Sequence, residues 1–119
     1  MASIKNFRDL IVWQKAVELF TLAVKDVERF PQKKASRIIE DQLLRAVGSI
    51  SANIAEGFGR KGAKELSYHL GVSKGSSAES EDWYEKIKNI GYLDENTIKD
   101  RLGRLDEIRK MLNSFISKI

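Results

Sequence analysis

The side chains that could do chemistry in this sequence are concentrated in and around residues 43–60, where small, apolar and polar residues share a helical pattern. Asn53 and Glu56 are three residues apart, so they share a helix face. Arg45 and Glu79 would meet if the helices that carry them were antiparallel neighbours. Because buried charges need partners, these four residues predict a structural polar network that sets the register of the helices. The alternative is a polar pocket that binds a ligand or a nucleic-acid phosphate.

Basic residues predict a second kind of site, at one end of the molecule. In an up-down helical bundle, the start of the chain, the turn between the second and third helices and the end of the chain share one pole. At this basic pole the predicted nucleic-acid-binding residues are Lys5, Arg8, Arg60, Lys61 and Lys64; Lys118 adds to them, and Asp9, Glu56 and Glu65 oppose them. Phosphate contacts dominate non-specific nucleic-acid affinity. The basic pole therefore predicts weak RNA or DNA binding, and ordinary solvated surface charge is the alternative.

The opposite pole is predicted to be balanced in charge. Its basic residues are Arg29, Lys33, Lys34, Arg37, Lys88 and Lys99, and its acidic residues are Asp26, Glu28, Glu85, Asp94, Glu95 and Asp100. The basic pole is therefore the better surface for a polyanion, and copies of it in an oligomer would multiply a modest field.

Other candidate chemistry has little support. His69 is the only histidine and the chain has no cysteine, which excludes a His-rich metal site and the familiar nucleophilic triads. Ser76 and Ser77 have no plausible base in the sequence. Residues 57–62 resemble a phosphate loop superficially, but they lack its preceding strand and its Gly-Lys-Ser/Thr ending. We therefore expect no enzymatic activity, no cofactor and no metal site.

Two aromatic residues, Trp83 and Tyr84, could stack on nucleic-acid bases. Aromatic residues at helical spacing more often fill a core or an interface, which is the interpretation that we favour for both.

Composition indicates one globular domain over residues 1–119. Charged residues make up 32% of the chain, apolar residues make up 42%, and there is a single proline, so long helices are permitted almost everywhere. No apolar run approaches the length of a membrane span, about 20 residues, and the N-terminus has no apolar signal core. We expect a cytoplasmic protein, and the lack of cysteine is compatible with that location. The net charge of +4 permits a polyanionic partner.

Hydrophobic periodicity predicts an all-α fold with four helices, over residues 8–30, 33–58, 63–91 and 95–118. Short connections between long helices predict an antiparallel up-down-up-down four-helix bundle. The first helix carries two adjacent apolar stripes, one of Trp13, Val17, Phe20, Val24 and Val27 and the other of Val12, Ala16, Leu19, Ala23 and Phe30. An apolar face this wide needs burial on two sides, so it predicts a subunit interface as well as a core.

The predicted helix ends rest on residues with known terminal preferences. Asn6 is expected to cap the first helix and Asp94 the fourth. Gly57 and Gly59 are expected to end the second helix in the left-handed conformation that glycine adopts easily, and Gly91 is expected to end the third.

Small residues predict close packing between the second and third helices. The second helix has a small stripe of Gly48, Ala52 and Ala55, and the middle of the third helix consists of Gly71, Ser73, Gly75, Ser76, Ser77, Ala78 and Ser80. This middle has poor helix propensity, so we expect close contact between the two backbones to compensate through dispersion contacts. A kinked or frayed third helix is the alternative.

The sequence resembles a known family through these same segments. Its central motif is Ser49-Ile50-Ser51-Ala52-Asn53-Ile54-Ala55-Glu56-Gly57 followed by Gly59-Arg60; further marks are Phe7, Asp9-Leu10, Val12-Trp13, Ala16, Phe30-Pro31, Gln42-Leu43, Lys74-Gly75-Ser76 with Glu79, and Gly91-Tyr92-Leu93. The chain resembles the four-helix-bundle family named after 23S ribosomal RNA intervening sequences. The resemblance implies a four-helix bundle that assembles as a ring-shaped homopentamer.

Some members of that family are encoded inside insertions in 23S rRNA genes, and many stand alone in bacterial genomes. A distant relative is the accessory protein of diversity-generating retroelements, a basic pentamer that works with a reverse transcriptase and nucleic acid. The family has no established biochemical activity, so the resemblance implies a fold more than a function.

This sequence departs from the family pattern in two places. Residues 32–38 are Gln-Lys-Lys-Ala-Ser-Arg-Ile, where the family usually has an acidic residue and an aromatic-Gly-Leu run. His69, Ser77 and Ser80 stand where the third helix usually has bulky apolar residues, so the local packing there and the interface are expected to differ.

From the sequence, we predict a non-enzymatic oligomeric helical protein that associates weakly with RNA or a ribonucleoprotein through its basic pole. The alternative is a structural scaffold or adaptor that recruits a protein partner and has no nucleic-acid role.

Overall fold

The computed structural model describes residues 4–119, and these residues contain four α-helices, one 3₁₀ helix and no β-strand. After the 3₁₀ helix Phe7–Asp9, the α-helices are α1 (Ile11–Val27), α2 (Lys34–Gly59), α3 (Ala63–Ile90) and α4 (Glu95–Ser117). The predicted all-α class is confirmed, and each helix lies within three residues of its predicted bounds. Within residues 4–119, no helix is long and apolar enough to cross a membrane.

The start of the first helix differs from the prediction. The Asn6 Oδ1 atom accepts a hydrogen bond of 2.9 Å from the Arg8 backbone N–H, so Asn6 caps the 3₁₀ helix and not α1. Leu10 then adopts an extended conformation, with φ −76° and ψ 122°, and α1 begins at Ile11 without a side-chain cap. The extended residue separates the two helical segments, which a pattern of apolar residues does not reveal.

Only one of the three predicted glycine ends has the left-handed conformation. Gly91 has φ 76°, and the Gly91 and Tyr92 N–H groups donate to the Lys88 and Ile87 carbonyls, which closes α3 in a Schellman motif. α2 does end at Gly59, but the left-handed conformation predicted for Gly57 and Gly59 is wrong. Neither glycine has a positive φ, and the chain leaves α2 at Arg60 in an extended conformation, with φ −82° and ψ 148°.

Gly57 has a packing role instead. A Cβ atom added at Gly57 would lie 2.7 Å from the His69 Cβ atom, so α2 and α3 approach here too closely for a side chain. At the other end of the molecule, the Asp94 Oδ2 atom accepts the Thr97 N–H at 3.1 Å, as the predicted cap of α4 requires.

All four helices contribute to one hydrophobic core. On α1 the stripe of Val12, Ala16, Leu19 and Ala23 is buried, and its core partners include Leu43, Val47, Ile50, Ile54, Leu70, Tyr84, Ile87, Ile98, Leu105, Ile108 and Leu112. The other predicted stripe of α1, which begins at Trp13, is covered incompletely, with Phe20 36% and Val24 37% exposed. One apolar face of α1 thus lies in the core, and the other reaches the surface of this chain.

In the middle of α3, serines and not glycines form the close contact with α2. Ser73, Ser77 and Ser80 are fully buried, and the Ser73 Oγ donates to the Ile50 carbonyl at 2.8 Å. Gly71 and Gly75 have no neighbouring atom within 4 Å of the position that a Cβ would occupy. The prediction of small residues at this contact therefore holds for the serines of α3 and fails for Gly71 and Gly75.

The small stripe of α2 also has other neighbours than predicted. Gly48 lies under the Phe20 ring of α1, whose Cε1 would be 3.3 Å from a Cβ at Gly48, and Ala52 is exposed. Side-chain contacts between α2 and α3 nevertheless follow a simple order, with residues 45, 49, 50 and 53 meeting residues 79, 76, 73 and 69. The residue numbers on α3 fall as those on α2 rise.

A buried charged network joins α1, α3 and α4. Asp26, which is 1% exposed, accepts from the Tyr84 hydroxyl at 2.8 Å and from two guanidinium nitrogens of Arg101, each at 2.8 Å. Burial and the neighbouring carboxylate raise the pKa of Tyr84, and the hydrogen bonds to Asp26 raise the pKa of Arg101. Because the carboxylate has three donors, its burial does not leave an unpaired charge.

Candidate nucleic-acid interface

The structure brings the start of the chain, the end of α2, the start of α3 and the end of α4 to one pole. They surround a shallow apolar groove of about 580 Å³, lined by Ile4, Leu10, Ile11, Val12, Phe58, Leu66, Met111, Ser114, Phe115 and Lys118. The predicted basic residues flank these lining residues: Lys5 follows Ile4, Arg8 lies in the 3₁₀ helix, Arg60 and Lys61 form the turn after Phe58, and Lys64 lies in the first turn of α3. The basic pole therefore combines five cationic residues with an apolar groove.

The five predicted cations differ in how their charges are used. The Arg60 Nη2 atom lies 2.6 Å from the Glu56 Oε1 atom, and this hydrogen bond is the main reason that the pKa of Glu56 is lowered. Arg8 bonds to the Asn6 Oδ1 atom at 3.2 Å and covers the Phe7 ring. These two arginines are therefore held in place by residues of their own segments.

The three lysines at the basic pole have no such partner. Within residues 4–119, no carboxylate oxygen lies within 4.0 Å of the Nζ atom of Lys5, Lys61 or Lys64. The nearby acidic residue Glu65 turns its carboxylate back towards Gly62 at the N-terminus of α3, a position that the helix dipole favours. The lysine ammonium groups are thus available for an anionic ligand.

The opposite pole is less balanced than the sequence predicts. Arg29 pairs with Asp94 at 2.5 Å, but Asp26 and Asp100 are bound by Arg101 and Arg104, two arginines that the sequence-based count omitted. Within the described residues this leaves Lys33, Lys34, Arg37, Lys88 and Lys99 without a carboxylate within 4.0 Å, against Glu28, Glu85 and Glu95. The two poles therefore differ in charge by less than predicted.

The predicted polar network is divided into a seam and separate surface pairs. Arg45 meets Glu79, but their side chains are 56% and 38% exposed, and surface pairs of this kind contribute about 0–1 kcal/mol. Glu56 points to Arg60 and does not contact Asn53. The structure does not bring the four predicted residues into one buried network.

Asn53 forms the polar seam between α2 and α3. Its Nδ2 group donates to the Ser49 carbonyl and Ser49 Oγ, at 2.9 and 3.0 Å, which leaves its Oδ1 atom 3.2 Å from the His69 Nδ1 atom. With this amide orientation Asn53 accepts from His69, so the imidazole carries a proton on Nδ1. His69 is thus a half-buried packing residue, and no group of three or more His, Cys, Asp or Glu in residues 4–119 is arranged to hold a metal ion.

The two aromatic residues that the sequence suggested for base stacking make other contacts within the protein. Tyr84 is fully buried against Asp26, and Trp83 is half-buried with the Lys86 ammonium 4.6 Å from its ring centroid. The exposed aromatic residue of α3 is Tyr68, which is 67% exposed and which sequence reasoning missed. Tyr68 lies one helical turn after Lys64 and away from the stripe of Leu66 and Leu70, a position that indicates an exposed side chain.

The chain matches a known protein family and resembles a solved structure. A family model described as 23S rRNA-intervening sequence protein matches residues 8–114. A solved structure of a protein with unknown function from the S23 ribosomal protein family of Bacteroides thetaiotaomicron is similar, with a TM-score of 0.83, 24% sequence identity, and coverage of 89% of this chain and 98% of that chain. At this identity the likeness shows the fold alone. No curated protein matches the sequence.

The family match extends from Arg8 in the 3₁₀ helix to Ser114 in α4, so it includes every segment that carries the resemblance except Phe7. The chain belongs to the family of 23S rRNA-intervening sequence proteins.

Proposed function

We propose that this protein is a non-enzymatic oligomeric helical protein that binds RNA weakly through its basic pole. The observation that carries the proposal is the group of Lys5, Lys61 and Lys64 at the basic pole, three ammonium groups that have no carboxylate oxygen within 4.0 Å among residues 4–119. Ammonium groups that are free of intramolecular partners can replace the counterions of a phosphate backbone. The description of the family, which refers to an intervening sequence of 23S rRNA, supports RNA as the polyanion.

We further propose an antiparallel up-down-up-down bundle that assembles as a homopentamer in the cytoplasm. The order of the contacts between α2 and α3 supports the antiparallel topology, and the incompletely covered Phe20 and Val24 on α1 support a subunit interface. A ring would place five basic poles side by side, which would add their weak affinities.

Charge reversal at the two poles tests the proposal. Fluorescence anisotropy with a labelled RNA at low salt would compare the wild type with Lys5→Glu/Lys61→Glu/Lys64→Glu and with the matched control Lys33→Glu/Lys34→Glu/Lys99→Glu, which has the same net charge. Loss of three phosphate contacts reduces the slope of log K against log[salt] by about 2 for a single strand. We expect that loss only for the basic-pole variant; equal losses in both variants would refute a localised site, and no binding by the wild type would refute the function.

A second function, recruitment of a protein partner by a scaffold, is favoured by the apolar groove at the basic pole. Ile11 in this groove is 54% exposed, and the lining is predominantly apolar, as in grooves that accept a partner's apolar side chains. Ile11→Asp should abolish recovery of a defined partner from nuclease-treated native cells while RNA binding persists. Loss of recovery on nuclease treatment alone would contradict this second function.

A further inference from the structure

Tyr68 presents an aromatic surface beside the basic pole. Its side chain is 67% exposed, whereas the same helix buries Leu70 and Tyr84 on its other face. Lys64 lies one helical turn earlier on the same face of α3, so the two side chains leave the helix from neighbouring positions. The helix thus displays a cation and an aromatic ring in succession.

The Tyr68 ring is held in place without being covered. It packs against the His69 imidazole in an edge-to-face arrangement, with centroids 5.1 Å apart and planes inclined by 80°. His69 is in turn fixed by its hydrogen bond to Asn53. Edge-to-face contact leaves at least one face of the phenol ring open, in agreement with its exposure.

Two glycines follow Tyr68 on the same stripe of α3. Gly71 and Gly75 continue the spacing of Lys64 and Tyr68, and apart from each glycine's chain neighbours and the helix's own backbone no atom lies within 4 Å of a Cβ position at either glycine. Other segments of the chain therefore leave this part of the surface open beside the Tyr68 ring.

An exposed aromatic ring is expected to interact differently with double-stranded and single-stranded nucleic acid. In a duplex the base faces are stacked on each other inside the helix, whereas an unpaired strand offers them to aromatic side chains. Building on the function proposed above, we propose that the basic pole binds single-stranded nucleic acid, with an unpaired base stacked on Tyr68 and its flanking phosphates bound by Lys61 and Lys64.

The test compares the affinity for a single-stranded oligonucleotide with that for a blunt duplex of the same length, at the same salt concentration. Loss of one stacked base at an exposed site predicts that Tyr68→Ala binds the single strand about 5- to 10-fold more weakly and the duplex as the wild type does. Tyr68→Phe, which keeps the ring, should bind both as the wild type does. Ile90→Ala, a matched control at an exposed apolar residue near the far end of α3, should change neither affinity.

Salt dependence separates stacking from charge. Tyr68→Ala should leave the slope of log K against log[salt] unchanged, because it removes no phosphate contact, whereas Lys61→Glu/Lys64→Glu should reduce it. Equal binding of both nucleic acids without an effect of Tyr68→Ala would overturn the stacking proposal and leave the proposed function intact. A change of particle mass by light scattering in Tyr68→Ala would also overturn it, by placing Tyr68 in a subunit interface. No binding of either nucleic acid would refute both proposals.

Discussion

Substitution of Gly57 by alanine tests the close approach of α2 and α3 most sharply. The added Cβ would lie 2.7 Å from the His69 Cβ, whereas unstrained carbon atoms approach to about 3.5–4.0 Å. Relief of this overlap requires the backbones to separate, since neither Cβ atom can rotate away. Overpacking of this kind costs about 1–3 kcal/mol, and the better helix propensity of alanine returns about 1 kcal/mol. We therefore expect Gly57→Ala to be less stable than the wild type by about 1 kcal/mol.

The assay is equilibrium unfolding in urea, followed by far-UV circular dichroism, with Gly103→Ala as the matched control. Gly103 lies within α4, is exposed, and has no atom within 4 Å of a Cβ position. Gly103→Ala gains the same helix propensity as Gly57→Ala without a steric overlap. This variant should therefore be more stable than the wild type by up to about 1 kcal/mol. Gly57→Ala and Gly103→Ala of equal stability would refute the reasoning.

A second comparison identifies the atom that Gly57→Ala meets. The cost of Gly57→Ala should persist in a His69→Ala background, which retains the Cβ, and should fall in a His69→Gly background, which removes it. A cost that stays the same in both backgrounds would show that the strain arises elsewhere, because coupled residues give non-additive free energies.

Three further predictions concern individual polar groups. The pKa of Tyr84 is raised in the folded state. The contribution of Tyr84 to stability is therefore present below its unfolded-state pKa of about 10 and is lost as the pH rises above that value. In chemical unfolding, the stability of Tyr84→Phe should decline less steeply at alkaline pH than that of the wild type, and an equal decline would contradict the buried hydrogen bond to Asp26. The Thr97 hydroxyl is the main reason that the pKa of Asp94 is lowered, so this carboxylate stabilises the fold above its unfolded-state pKa and loses that effect as the pH falls. Asp94→Ala should therefore lower the melting temperature at pH 7 and flatten its acid limb in a pH series, whereas a wild-type melting curve would contradict the cap. The buried Ser77 Oγ has no hydrogen-bond partner among the described residues, so Ser77→Ala should be neutral or stabilising, whereas Ser73→Ala should cost about 1 kcal/mol by urea unfolding; the reverse order would contradict the assigned hydrogen bonds.

Local chemistry made part of the fold predictable from the sequence. The cap at Asp94 and the left-handed Gly91 depend on backbone groups within a few residues, so their residue types suffice to identify them. The meeting of Arg45 with Glu79 follows from helix lengths and short turns. The role of Gly57 was missed because its constraint comes from the His69 Cβ atom of another helix and not from its own φ angle.

The charge distribution was harder to predict because it depends on which ions pair. Asp26 continues the core spacing of Leu19 and Ala23 on α1, yet a carboxylate at such a position is ordinarily assigned to the surface. Its burial requires Tyr84 and Arg101, which lie 58 and 75 residues away in sequence. The same long-range pairing determined how many cations remain free at each pole.

Cross-linking identifies the RNA-binding surface most directly. The full-length protein would be irradiated with a single-stranded RNA that contains 4-thiouridine, and the attached peptides would be located by mass spectrometry. The account predicts cross-links within residues 60–68, which contain Lys61, Lys64 and Tyr68. Cross-links concentrated in residues 33–37 of the opposite pole, or none above those of an unrelated protein with the same net charge, would contradict it.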